Sequence, residues 1–372
     1  MSSPIAQPIT LQNGLTLPNR LAKSAMAENL ADKDLLPTND VYSAYKAWVE
    51  GGWGLIITDK PLGRQSPAGA GRRGLFEKAL APSAIPLRLG KGLFAAVVSK
   101  LLFGTPRAMS VEEILHVRNC FVETAVLAPE AGFDGIELHG AHGYLLSQFL
   151  TAKTNHRVDE YRGTPKARAK IVVDIIEAIR NAVPKSFTVG IKFNSVHHQS
   201  SIALEECLEQ LRLITDAVID FLEISGGSYE EPIGIVDPDE VTRVKRESTA
   251  AREAFFLDFA KAIRKEFPDL PLLVTGGFRS HKVIEDALLS KALDIVGLAR
   301  PAVLDASAPS SMLLNMSKGD DEARVIAISI PTPWLLKKIG NYIIGAGYET
   351  AWYGKKIKTL GEGRRQAYKS NI

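Results

Sequence analysis

Short apolar runs recur along the chain, each closed by turn residues and followed by a stretch of helical period. They fall at 20–26 (RLAKSAM), 54–59 (GLIITD), 135–140 (GIELHG), 187–193 (FTVGIKF), 220–226 (DFLEISG), 272–277 (LLVTGG) and 294–300 (DIVGLAR). Several are continuously apolar, as expected of parallel strands covered on both faces. Between them lie amphipathic helices with proper starts. Ser110 with Glu113 forms a capping box before ILHVRNCFVETAVLA. Thr164 caps the next helix with Pro165 at its first position, and Ile171, Val172, Ile175, Ile176 and Ile179 form one stripe. Further helices fit 203–218, 249–267 and 280–291.

Such alternation over most of the chain predicts a (β/α)₈ TIM barrel, ahead of a doubly wound sheet. No repeat or low-complexity linker splits the 372 residues, so 1–372 is expected to be a single barrel domain with a C-terminal extension from about 305. The count falls one strand short. Between Asp59 and Gly135 only one convincing helix links strand to strand, where an extra strand and helix belong. The segment LFAAVVSKLL does not supply that strand. Its apolar residues at 93, 94, 97, 98 and 101 follow a helical period, which predicts a helix or loop outside the barrel.

Composition narrows the function classes. With 45 basic and 42 acidic side chains, no nucleic-acid footprint is indicated. The longest apolar run is broken by Lys100 and falls short of a bilayer span, and the first residues lack a signal pattern. Only Cys120 and Cys207 are present, both in predicted helices, which suits a reducing, cytoplasmic setting.

Barrels of this kind place chemistry at the C-terminal ends of their strands. The first strand ends at Ala25, Met26 and Ala27. Another ends at His139, followed by His142 and Tyr144. A metal pair would need a third ligand, and none is obvious nearby. A structural histidine pair is one alternative; two N–H donors that polarise a carbonyl oxygen, with Tyr144 as proton donor, is the better supported one. No G-x-S-x-G elbow occurs, which disfavours a serine hydrolase. Lys192 interrupts an apolar strand, either to neutralise an anion in the barrel mouth or to snorkel from its end. Gly276 and Gly277 close one strand and Arg300 the next, a spacing that suits a phosphate held by backbone N–H groups and a guanidinium.

The stretch GFDGIELHGAHGYLLSQFLTAKTNHRVDEYRGT resembles the signature of the Old Yellow Enzyme family, the FMN-dependent NADH:flavin oxidoreductases. LPNRLAKSAMAE, GIKFNS, LEISGGSYE, LLVTGGFRS and DIVGLARP do likewise, and the tail IGAGYETAWYGKKIKTLGEG is similar to that of the fungal branch. The resemblance implies a barrel that holds FMN, reduced by NADH or NADPH, and that passes hydride to an activated alkene such as an enone. Residue by residue, it implies that His139 and His142 bind the substrate oxygen and that Tyr144 protonates the carbon alpha to the carbonyl. Lys192 would face the flavin's pyrimidine edge. Gly276, Gly277 and Arg300 would hold the phosphate, while Ala25, Met26 and Ala27 contact the flavin through the backbone.

Three departures stand out. Ala27 replaces the usual threonine or cysteine, and Arg162 interrupts a paired glycine. ITDK runs directly into PLGRQSP, where relatives carry a loop, a helix and the third strand with a flavin-contacting glutamine. A redox-neutral isomerase or cyclase and a degenerate flavin binder are the rival functions. The alkene, the choice of NADH or NADPH and the oligomeric state are not legible.

Overall fold

All seven expected strands form, and they lie in one curled parallel sheet. The structure, a computed structural model, describes residues 3–34, 36–59, 78–87, 97, 99–101, 104–195, 201–226, 257–315, 317–320, 322–330 and 342–363. A short hairpin, β1 (Ile9–Thr10) and β2 (Thr16–Leu17), precedes the barrel strands β3 (Leu21–Lys23) and β4 (Leu55–Ile56). A separate pair follows, β5 (Leu80–Ala81) and β6 (Arg107–Ala108). The remaining barrel strands are β7 (Gly135–Gly140), β8 (Thr188–Asn194), β9 (Phe221–Ser225), β10 (Leu272–Thr275) and β11 (Ile295–Leu298). Their spatial order is β4-β3-β11-β10-β9-β8-β7. Among the described residues this is a (β/α)₈ circuit with no strand between its second and fourth.

The helices are α1 (Asn39–Glu50), α2 (Val111–Glu130), α3 (Leu145–Leu150), α4 (Pro165–Ala182), α5 (Ser201–Asp216), α6 (His281–Leu289), α7 (Arg300–Leu304) and α8 (Tyr342–Gly361). Another runs over 257–266, the described part of the helix expected at 249–267. Both expected caps are present. Ser110 accepts from the Glu113 N–H while the Glu113 carboxylate accepts from the Ser110 N–H, and Thr164 accepts from Ala167. The α4 stripe from Ile171 to Ile179 is fully buried. Among the described residues, no helix is long and apolar enough to cross a membrane.

Alternation along each strand divides the core in two. Leu138, Val189, Ile191, Leu222, Ile224, Val274 and Val296 pack outward under the helices. Ala22, Phe221, Leu273 and Ile295 point into the lumen, where Leu11 and Leu17 of the hairpin plug the bottom. One glycine is required here. A Cβ on Gly297 would lie 2.0 Å from Thr275 Oγ1 and 2.4 Å from Ser24 Oγ. Its absence lets those hydroxyls meet across β11 at 2.7 Å.

The open side is visible in the burial. Every residue of β8 is buried, whereas both residues of β4 and four of the six in β7 are only half-buried. β5 and β6 pair with each other and join neither edge. Residues 97 and 99–101 are helical, in keeping with the period; the rest of 93–102 lies outside the described residues. On the other flank α8 packs against α1 and α7, and the Tyr353 hydroxyl both donates to and accepts from the Ile328 backbone.

Candidate active site at the barrel mouth

Strand β7 delivers His139 to the mouth, and the turn beyond it folds His142 back. That turn needs positive φ at His142 (60°) and Gly143 (76°), a conformation uncommon for a residue with a side chain. The two imidazole centroids lie 5.0 Å apart, and the Tyr144 ring lies 4.8 Å from that of His139. His142 Nε2 is 3.0 Å from Ser225 Oγ, at the end of β9. Burial drives the His139 pKa down to about 2, with His142 and Lys192 adding to the shift. Burial likewise takes His142 to about 4, helped by Lys192 and opposed by Glu223. Both rings are therefore neutral across the physiological range, each with one N–H to donate.

Lys192 is paired in register with His139 on β7 and Glu223 on β9. It is buried, with Nζ 3.1 Å from Glu223 Oε2 and 3.4 Å from Glu137 Oε2. This is not a snorkelling lysine. Burial would lower its pKa, but the two carboxyls outweigh that and hold it above the usual lysine value. Glu137 and Glu223 went unremarked in the sequence, although each lies two residues before a mouth residue on its own strand and so shares its face.

At the other end of the mouth, β10 and β11 are parallel neighbours, so the turn at Gly276–Gly277 lies beside the start of α7 at Arg300. Gly277 has φ 73°, which glycine alone adopts freely, and successive N–H groups in such a turn can face an anion. Arg300 already has a partner. Its Nη1 is 2.6 Å from Glu349 Oε1 on α8, with the guanidinium one-third exposed. Ala25, Met26 and Ala27 follow β3 at the mouth and are half-buried.

A further buried cluster ties this loop down. Lys23 points outward from β3, its Nζ 3.1 Å from Ile57 O and 4.3 Å from the Trp48 ring centroid. Burial brings its pKa down to about 8 against the pull of Glu28 and Asp59. Glu28 accepts from the Tyr45 hydroxyl and from the Asp59 N–H, joining the loop after β3 to α1 and the end of β4.

The residues present fit FMN at both ends. A glycine turn beside a guanidinium suits a phosphate dianion, and a buried ammonium within the lumen suits the electron-rich edge of a flavin. Three buried carboxyl oxygens in the lumen, Glu137 Oε1 and both of Glu223, lack aligned hydrogen bonds.

Comparison with known proteins agrees. The family described as NADH:flavin oxidoreductase / NADH oxidase matches residues 61–316. The chain is 41% identical to the NADH-dependent flavin oxidoreductase iliE of a Neonectria species over 415 positions, covering 96% of this chain and 54% of that protein. It thus spans about half the length of that relative. With the NADH-dependent flavin oxidoreductase iccE of Talaromyces variabilis it shares 40% over 407 positions, covering 96% of this chain and 98% of that one. Both alignments are longer than the 372-residue chain, by 43 positions (415 less 372) and 35 (407 less 372). The Old Yellow Enzyme homologue of Zymomonas mobilis superposes with a TM-score of 0.60 at 21% identity, covering 82% of this chain and 91% of that one. The chain therefore belongs to the NADH:flavin oxidoreductase / NADH oxidase family of the Old Yellow Enzyme type, whose enzymes use FMN and a nicotinamide electron donor.

Proposed function

We propose that this protein reduces the C=C bond of α,β-unsaturated carbonyl compounds in the cytoplasm, with NADH or NADPH as electron source. The observation that carries the reading is the close packing of His139, His142 and Tyr144, with both imidazoles held neutral by burial. Bound FMN would supply the chemistry of accepting a hydride from the nicotinamide and delivering it to the alkene. The chain's own groups bind and polarise. If the Ser225 hydroxyl donates to His142 Nε2, the ring proton resides on Nδ1, which becomes the donor to the substrate oxygen. Two neutral N–H donors stabilise charge building on that oxygen without themselves losing a proton. Tyr144, next to His139, gives its proton to the carbon alpha to the carbonyl. Gly276, Gly277 and Arg300 hold the phosphate, Lys192 faces the pyrimidine edge, and the backbone of Ala25, Met26 and Ala27 lines the ring.

The open side qualifies this reading. The alignments run longer than the chain, the family match starts at residue 61, and β4 and β7 have free edges among the described residues. All three support the absence of a strand–helix block after Asp59. FMN retention is accordingly weak.

The test uses the chain with excess FMN. NADH oxidation should accelerate on adding 2-cyclohexenone, and Tyr144→Phe should slow alkene reduction by about 10²–10⁴ while leaving flavin reduction by NADH unchanged. Conversion of an unsaturated substrate to an isomer without NADH consumption would instead establish the isomerase.

A further inference from the structure

Three ionisable side chains meet in the lumen, and their charges do not balance as usually drawn. Lys192 of β8 lies between Glu137 of β7 and Glu223 of β9, within 3.4 Å of one carboxyl and 3.1 Å of the other. All are buried within the lumen: side-chain exposure is 4% for the lysine, 7% for Glu137 and 0% for Glu223. With both acids ionised, the cluster would carry a net negative charge in a medium that solvates charge poorly.

The hydrogen bonding raises the same difficulty. As carboxylates, Glu137 and Glu223 can only accept, and three of their four oxygens have no aligned donor. Both carboxyls meet the same ammonium, from the strands on either side of it, and one ammonium balances only one carboxylate. One proton held by the pair removes the excess charge and supplies an O–H donor to a cluster otherwise rich in acceptors.

We propose that Glu137 and Glu223 share a single proton and act together as one negative counter-charge to Lys192. The cluster is then neutral, and the ammonium is matched by one carboxylate whichever acid holds the proton. Other groups around it are consistent with one proton. His139 and His142 are neutral, the Thr275 hydroxyl of β10 is paired with Ser24, and Lys23 acts only through its distant field. Burial and the neighbouring Glu223 raise the Glu137 pKa, whereas Lys192 favours ionised Glu223. The pair titrates as a unit, so the proton belongs to both residues.

The consequence for function rests on the reading that Lys192 faces the flavin. Loss of either acid alone leaves the other to ionise opposite Lys192, so the charge presented to the flavin is preserved. The pair makes that charge insensitive to the loss of one partner.

Infrared difference spectroscopy of the full chain labelled with ¹³C-glutamate tests the proton directly. The wild type should show a carboxylic-acid C=O band at neutral pH. Either Glu137→Gln or Glu223→Gln should abolish it, because the remaining acid ionises against Lys192. Lys192→Met should double it. A band that survives Glu223→Gln would overturn the inference, since Glu137 would then be protonated by burial alone. Absence of the band from the wild type would overturn it as well, even if no variant folds. A second measurement, the ratio of Kd values for oxidised and reduced FMN at saturating flavin, separates the underlying reading. Each single glutamine variant should shift that ratio less than threefold, while Lys192→Met should disfavour reduced FMN at least tenfold, about 30 mV for a two-electron couple. If the bands behave as stated and Lys192→Met leaves the ratio unchanged, Lys192 does not face the flavin, although the shared proton stands.

Discussion

Two buried neutral histidines make a definite demand on stability as the pH falls. In the unfolded chain each imidazole takes up a proton below its ordinary pKa of 6.5; in the fold His142 resists until about 4 and His139 until about 2. The unfolded state therefore binds more protons between these limits, and stability falls with pH across the window. The stability in question is present above pH 6.5 and is lost progressively below it. Each histidine loses about 1.4 kcal/mol per pH unit. Two histidines over two units give a loss of about 5 kcal/mol by pH 4.5, comparable with the whole stability of a modest domain. Urea unfolding followed by tryptophan fluorescence at pH 7.5, 5.5 and 4.5 measures it. Carboxylates whose pKa is lowered in the fold, such as Glu113 beside Arg107 and Asp159 beside Arg157, also weaken the fold in acid. They do so equally in a His139→Asn/His142→Asn variant, so the informative quantity is the difference between the two proteins. The wild type should lose about 5 kcal/mol more than the variant by pH 4.5, and about half of that by pH 5.5. Parallel stability lines would refute the claim that the donors are neutral.

Other consequences can be measured on the same preparations. Arg300→Ala should weaken FMN binding about 10–100-fold by removing a charge-assisted phosphate contact, whereas Glu349→Gln should strengthen it by releasing the guanidinium from its partner on α8; flavin titration decides, and unchanged affinity in both would reassign Arg300 to the α7–α8 contact. Phenols should stack as anions over the flavin and give a long-wavelength charge-transfer band. That band should vanish when His139 and His142 are both changed to leucine, with FMN still bound; its survival would exclude them as donors. Inserting a relative's strand–helix block after Asp59 should raise FMN retention and solubility. A pairing strand would satisfy the edges of β4 and β7 that pair with no described strand, at about 1 kcal/mol net per backbone hydrogen bond. Stable, fully loaded protein from the unmodified chain would remove the need for that block.

Much of the architecture could be read from period and punctuation. Parallel strands buried on both faces are continuous apolar runs, so β8 to β11 were apparent to within a residue or two. Helices α2 and α4 announced themselves through Ser110, Glu113, Thr164 and Pro165 because caps are local chemistry. Helix α1 did not. Val41, Ala44, Tyr45 and Trp48 share its inner face at helical spacing, but its Thr38 cap makes no side-chain hydrogen bond to mark the start. The site divides along the same line. His139, His142 and Tyr144 are neighbours in sequence, so their meeting was legible. Glu349 reaches Arg300 from 49 residues away, and Ser225 reaches His142 from 83, through packing that no local pattern encodes.

The open edge joins both kinds of evidence. A strand count made from apolar runs alone comes to seven, one short of the eight that close a barrel. Among the described residues the deficit falls between β4 and β7, the position that the 75 residues between Asp59 and Gly135 leave for it. The half-buried Leu55, Ile56 and Ile136 occupy strand positions that are buried elsewhere in the sheet. Nothing about those three side chains favours solvent. Among the described residues no strand lies beside them, and a strand paired there would bury them. The proposed donor cluster lies on and just after β7, beside the edge that no described strand pairs, with His142 held from the other side by Ser225. Its geometry is thus supported mainly by β8 and β9. The proposed donors are thus braced from the paired side of β7, while no described strand pairs with its other edge.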